Sequence, residues 1–311
     1  MIHYDLASKP EIISNHFNSL KKDYLEKSIN SSSINGQLKQ YIIDNLYEII
    51  TGPPDVIKNL NTSFKRLTSY TGTKICLNKI SSIFDYKKFS NKSIGLYDAY
   101  DLALKLNVRT CLYCNRMYTI TVSKGNKSNE KVTRPQFDHF FDKAKNPLLA
   151  LSIYNLIPSC NICNSTLKGK KEFTLNSYVH PYIDNYIDQY NYKFIPFNVS
   201  SILGQKSNLE VEISIKRDKD FGKIKKTLEL FKLSDVMSGH SEELKDLFDI
   251  RYKFSQRYFK ELFKSYNSLG LSYEEVYRIV FGVHFIEDKF NQRPFSKLKK
   301  DILQELLIID K

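Results

Sequence analysis

The chain has 311 residues, with 47 Lys and Arg against 34 Asp and Glu and a formal net charge of +13. Its 41% hydrophobic residues are spread along the whole length, which excludes a disordered chain and leaves room for one or two packed domains. No apolar run approaches the roughly 20 residues that span a bilayer. Met1 to Pro10 also lacks the apolar core of a secretory leader, so a cytoplasmic protein with no membrane partner is expected.

Residues 1–105 read as a helical N-terminal region. Leu38, Tyr41, Ile42, Leu46, Ile49 and Ile50 recur at helical spacing, and Gly52-Pro53-Pro54 stops the run. Further helices are predicted over 56–67 and 97–106, with a loop at 90–93. The character changes over 106–175, where short β-prone runs, cysteine pairs and a polar loop at 124–131 take over. Residues 176–311 begin irregularly, carry one alternating strand pattern at 209–215, and are helical again from about Gly222.

Positive charge is concentrated in the middle region. Residues 106–175 hold 11 Lys and Arg against 4 Asp and Glu, a net of +7, compared with +4 for 1–105 and +2 for 176–311. A local excess of this kind suits a phosphate-binding surface, and nucleic acid is the first polyanion to consider. A generally basic proteome is the bland alternative. The 21 Tyr and 20 Phe, with abundant Lys, Asn and Ile, reflect AT-rich coding and carry no functional weight.

Cys111-Leu-Tyr-Cys114 and Cys160-Asn-Ile-Cys163 are two C-x2-C pairs, 45 residues apart. Two intervening residues let both thiolates of a pair face one point from a tight turn. Two such turns supply the tetrahedral thiolate set that zinc prefers, with no open position, so the zinc is expected to be structural. A core of about 60 residues buries too little apolar surface to stand alone, and a bound metal compensates. Cys76, between Ile75 and Leu77, reads as a small buried apolar residue.

Between the pairs lie Arg134-Pro-Gln-Phe-Asp-His-Phe-Phe-Asp-Lys143 and Tyr154-Asn-Leu-Ile-Pro-Ser-Cys160. Asn164-Ser-Thr-Leu-Lys168-Gly-Lys170-Lys171 follows the second pair directly. This order resembles the HNH (ββα-metal) endonuclease family. Its pattern is C-x2-C, an Asp-His doublet on a strand, Asn-Leu on a second strand, then C-x2-C and a His or Asn opening a helix. The resemblance covers about 107–172. It implies a mainly α protein with a small α+β core: a ββα-metal HNH core with a four-cysteine zinc site over 106–175, flanked by helical regions at 1–105 and 176–311.

The resemblance also implies roles. His139 would be the general base, an imidazole that titrates near working pH. Asp138 and Asn164 would hold one catalytic Mg2+ or Mn2+ through oxygen, and Asn155 would orient the imidazole through the loop between the strands. Arg134 and the basic helix opened by Lys168, Lys170 and Lys171 would contact phosphates. Read singly, Asp138-His139 is a surface pair, Asn155 and Asn164 are caps, and the lysines are a solvated face. Asp142 reads as a solvated carboxylate, and His180 as a buried, hydrogen-bonded histidine in preference to one that reaches the site.

Near the C-terminus, Ser296 reads as a helix cap with Lys299 and Lys300 in the first turn. That placement is unfavourable to the helix dipole unless a phosphate binds there. The Asn-Leu-Ile-Pro-Ser-Cys stretch and the Arg293-Pro-Phe-Ser-Lys-Leu-Lys-Lys-Asp301 tail resemble HNH proteins of bacterial antiphage systems, of the Septu and retron-associated kind, which work with a separate ATPase subunit. No Walker-type phosphate loop occurs here, so a nucleotide-driven step would come from another chain. The function implied is a DNA endonuclease acting in antiphage defence. The alternatives are a non-catalytic zinc-ribbon module that binds nucleic acid or protein, and the same core acting on RNA.

Overall fold

A computed structural model describes residues 1–68, 73–91, 95–124, 130–196 and 209–309. The chain is mainly helical with a few short strands. It forms two compact units: Asp5–Val108 with Thr119–Ile183, and Met1–Tyr4 with Arg109–Tyr118 and Asp184–Lys311. These units interleave along the sequence, unlike the three consecutive regions 1–105, 106–175 and 176–311. Among the described residues no helix is long and apolar enough to cross a membrane.

The first of these units is built on α1 (Pro10–Leu20), α2 (Glu26–Ser31), α3 (Gly36–Asp44), α4 (Leu46–Thr51), α5 (Pro54–Thr68), α6 (Thr73–Ile83), α7 (Tyr86–Ser90) and α8 (Ala99–Leu106). The helical run expected over 38–50 is two helices. Asn45 leaves the helical region at φ −113°, ψ 13°, and the Tyr41 carbonyl accepts both its backbone amide at 3.2 Å and its side-chain amide at 2.8 Å. The helix expected from 97 starts at Ala99 because Asp98 caps it, in a capping box with Asp101. Ser90 closes α7, and the rest of the loop expected at 90–93 lies largely outside the described residues.

Buried apolar faces of these helices, among them Leu20, Ile42, Ile49, Ile57, Ile80 and Phe89, form the interior. His16 is fully enclosed there, between the Tyr97 hydroxyl at 3.0 Å and the Leu151 carbonyl at 2.9 Å. Burial pulls its pKa down to about 4. Cys76 is buried as a small apolar residue. Two antiparallel hairpins complete the unit: β1 (Val122–Ser123) with β2 (Lys131–Thr133), and β3 (Gln136–His139) with β4 (Leu156–Ser159). Lys131 is buried against Asp98, and residues 125–129 of the polar loop expected at 124–131 lie outside the described residues.

The second unit holds the strand expected at 209–215, here β6 (Leu209–Ile215). Its partner β5 (Tyr190–Pro196) is hidden among Tyr- and Pro-bearing residues that read as irregular. The remaining helices are α9 (Phe221–Leu230), α10 (Leu233–Ser238), α11 (Ser241–Lys253), α12 (Gln256–Asn267), α13 (Tyr273–Phe281) and α14 (Ser296–Glu305). Ser296 does not cap α14: its hydroxyl donates to the Arg293 carbonyl, and Phe295 in the left-handed region occupies the cap position. Lys299 and Lys300 pair with Glu243 at 2.7 Å and Glu287 at 3.0 Å. Acidic side chains therefore offset the charge for which a bound phosphate was expected.

Candidate functional site

The Sγ atoms of Cys111, Cys114, Cys160 and Cys163 all lie within 4.8 Å of one another, and all four residues are buried. Sulfurs tetrahedral about zinc stand about 3.8 Å apart, given Zn–S of about 2.3 Å. The cluster can therefore hold a metal ion such as zinc. Each pair is shaped by its own backbone. Asn115 donates its backbone amide to the Cys111 carbonyl at 2.8 Å and takes a left-handed φ of 50°, closing the first turn. In the second turn the Cys163 amide points at Cys160 Sγ at 3.4 Å, and the Asn164 amide bonds the Cys160 carbonyl at 3.0 Å.

In the β3–β4 hairpin Asp138 pairs with Ile157 and His139 with Leu156. The intervening loop is clamped from within by Asn155. Its side-chain oxygen accepts from the Phe141 amide at 2.7 Å, and its nitrogen donates to the carbonyls of Phe141 and Leu149 at 3.1 and 2.9 Å. The next residue along, Ala150, supplies the carbonyl that holds His139 Nε2 at 3.0 Å. A carbonyl only accepts, so Nε2 carries the proton and Nδ1 is left as the acceptor of the neutral ring. Tyr86 of α7 meets the same ring edge-on, 4.4 Å between centroids.

The expectation that His139 titrates near working pH is corrected. Burial lowers its pKa to about 3, and the Lys143 and Lys168 ammoniums push the same way, against the opposing pull of the Ala150 carbonyl. The imidazole is neutral throughout the working range.

The second cysteine pair runs into a π-helical turn, Ile162–Lys168, in which the Gly169 amide reaches back five residues to the Asn164 carbonyl at 3.0 Å. Asn164 lies within this turn, and its side-chain nitrogen donates to Gln136 Oε1 at 2.8 Å. Lys168, Lys170 and Lys171 do not open a basic helix, as the sequence suggested; Lys168 ends a helical turn, and Lys170 and Lys171 follow it. Lys168 closes the turn facing inward, where its Nζ bonds Asp138 Oδ1 at 2.7 Å and the His139 carbonyl at 2.6 Å. Gly169, at φ 52° and ψ −125°, then reverses the chain and leaves Lys170 and Lys171 exposed.

Asp138, His139, Asn164 and Lys168 line one cleft of about 390 Å³, together with Arg134, Lys171, Gln136, Tyr86, Asp142 and Lys143. Asn155 and Lys170 are not part of its lining. Arg134 commits donors to the Pro135 and Ser90 carbonyls at 2.7 and 3.0 Å, which fixes its guanidinium at the cleft wall. His180 is buried with Nε2 3.0 Å from the Tyr154 carbonyl and does not line the cleft. Sequence reasoning missed Tyr86, Gln136 and Lys143. Tyr86 carries no sequence signal at all, whereas Gln136 and Lys143 fall inside the quoted stretch. No family model, curated protein or solved structure matches the chain.

Proposed function

We propose that the protein is a metal-dependent endonuclease of the HNH type that hydrolyses phosphodiester bonds of DNA from a ββα-metal core. The observation that carries this reading is the convergence of Asp138, His139 and Asn164 on one cationic cleft. Asp138 and Asn164 offer hard oxygen donors, which suit Mg2+ or Mn2+ with water and phosphate completing the shell. Bound there, such a cation would supply positive charge for the phosphate oxygens of the transition state.

The chain's own groups account for the proton and for positioning. His139 holds its proton on Nε2, so Nδ1 takes the proton of the attacking water as that oxygen bonds to phosphorus and the leaving P–O bond breaks. An incoming phosphate anion raises the proton affinity of that nitrogen, opposing the effect of Lys143 and Lys168. Asn155 is a positioning residue that fixes the loop carrying the Ala150 carbonyl. Arg134 and Lys171 meet the backbone phosphates. Zinc at the four cysteines is structural. The resemblance of the tail extends the reading to antiphage defence with a separate ATPase partner.

The test is nicking of supercoiled plasmid with Mg2+ or Mn2+ by the wild type, His139→Ala and Asn164→Ala. Cutting by the wild type that both substitutions abolish supports the reading. Equal cutting by wild type and His139→Ala removes His139 as base. No cutting under either metal, alone or with copurifying partners, favours the zinc-ribbon module. A parallel assay on RNA decides the polymer.

A further inference from the structure

Lys168 is an unusual neighbour for a cation site. Its ammonium is buried and makes two short bonds, to the Asp138 carboxylate and to the His139 carbonyl, and it lies 4.8 Å from the centroid of the Phe173 ring. Oxygen donors of this kind are the ones that would hold a hard divalent ion. The cleft wall adds to the same sign of charge: Arg134, Lys143, Lys168 and Lys171 face only Asp138 and Asp142. A dication entering this cleft by itself meets a net positive field and a carboxylate already neutralised by a lysine. A phosphodiester brings negative charge that weakens the positive field and gives the ammonium a second anion to bond.

We propose that Lys168 is the resident counter-cation of Asp138, so that the cleft takes up a divalent metal ion together with a phosphate and only weakly without one. The inference rests on the nuclease reading for the place of the metal, and concerns the order in which the site fills. Lys168 here is a positioning residue for the metal and not a group that performs the chemistry. Shared use of Asp138 couples the two ligands: each makes the binding of the other easier, by the same factor.

The experiment measures Mn2+ binding to the zinc-loaded full chain by electron paramagnetic resonance, with no turnover required. It is run with and without a phosphorothioate oligonucleotide, with Asp138→Asn as the blank for binding at the cleft. Asp138-dependent Mn2+ affinity is expected to rise at least tenfold when the oligonucleotide is present. In Lys168→Met, checked for zinc content and circular dichroism, Mn2+ alone is expected to bind at least tenfold more tightly than in the wild type. If Lys168→Met does not fold, the wild-type comparison decides by itself. Equal Mn2+ affinity with and without oligonucleotide overturns the proposal while leaving the metal site and the nuclease reading intact. Mn2+ binding to a folded Lys168→Met no tighter than to wild type also overturns it. Absence of any Asp138-dependent Mn2+ binding under all conditions overturns the proposal and the metal-dependent reading together.

Discussion

Two buried Lys–Asp pairs in different parts of the molecule have opposite characters. In α14, Lys297 and Asp301 sit one turn apart, with Nζ 3.2 and 2.9 Å from the two carboxylate oxygens. Asp301 also accepts the Tyr192 amide of β5 at 2.9 Å, and the Lys297 ammonium lies 4.6 Å from the centroid of the Tyr190 ring. Burial raises the Asp301 pKa even against the pull of Lys297. That pair is enclosed and fixes a helix to a strand. Lys168 and Asp138 are as deeply placed, yet both form part of a cleft wall, so an incoming ligand can compete for them. Burial alone therefore does not separate a structural ion pair from an exchangeable one; access does.

The contrast between the pairs can be broken most sharply at Asp138. On the proposed nuclease reading, Asp138→Asn should lower cutting by about 10²–10⁴-fold, the range for losing a metal ligand or general base, while the chain stays folded. Asp301→Ala should do the reverse. It strands an enclosed ammonium and should cost about 3–5 kcal/mol in urea unfolding, with the cleft intact. Equal destabilisation by Asp138→Asn and Asp301→Ala would sink the distinction between the two pairs.

Acid provides the next test. His16 and His139 stay neutral in the folded chain down to about pH 4 and pH 3, whereas in the unfolded chain each takes up a proton near 6.5. The unfolded state then binds more protons, so stability is full above pH 6.5 and falls as the pH is lowered. Each histidine should remove about 2 kcal/mol between pH 7 and pH 5, and His16→Gln should flatten the urea-midpoint profile by one histidine's share. Gly169→Ala should cost about 1–3 kcal/mol, because φ 52° with ψ −125° strains any residue with a Cβ. The smallest effect is expected for Lys299→Glu and Lys300→Glu. Breaking their pairs with Glu243 and Glu287 should change stability by about 1 kcal/mol or less, with little effect on nucleic-acid affinity.

Much of this is legible in the residues because it depends on local spacing. The C-x2-C pairs close their own turns, the alternation at 209–215 marks a strand, and Gly52-Pro53-Pro54 ends a helix. Asp138, His139 and Asn164, which only the resemblance to the HNH pattern grouped, line one cleft. What sequence could not give depends on partners distant in the chain or on direction. Asn45 interrupts the helix by leaving helical dihedrals, which the periodicity of its neighbours conceals. Tyr86 reaches His139 from a helix more than fifty residues upstream, and β5 is a strand because β6 pairs with it. The direction of Lys168 is the largest departure. A lysine in a basic run reads as part of a solvated or phosphate-facing surface, and the π-turn aims it inward instead.

That turn has a consequence for residue counting. An α-helix closes each ring four residues back, and the stretch after Cys163 closes one residue later, at Asn164 from Gly169. Removing a single residue such as Thr166 would let the segment relax to the tighter coil and turn Lys168 by roughly a few tens of degrees around the axis relative to Asn164. Every side chain named at the cleft would survive such a deletion, yet the amine would leave from a different angle toward its carboxylate. The interval between amide and amine thus specifies the site as much as the residue types do. A chain with the same residues at a different interval should not be assumed to share it.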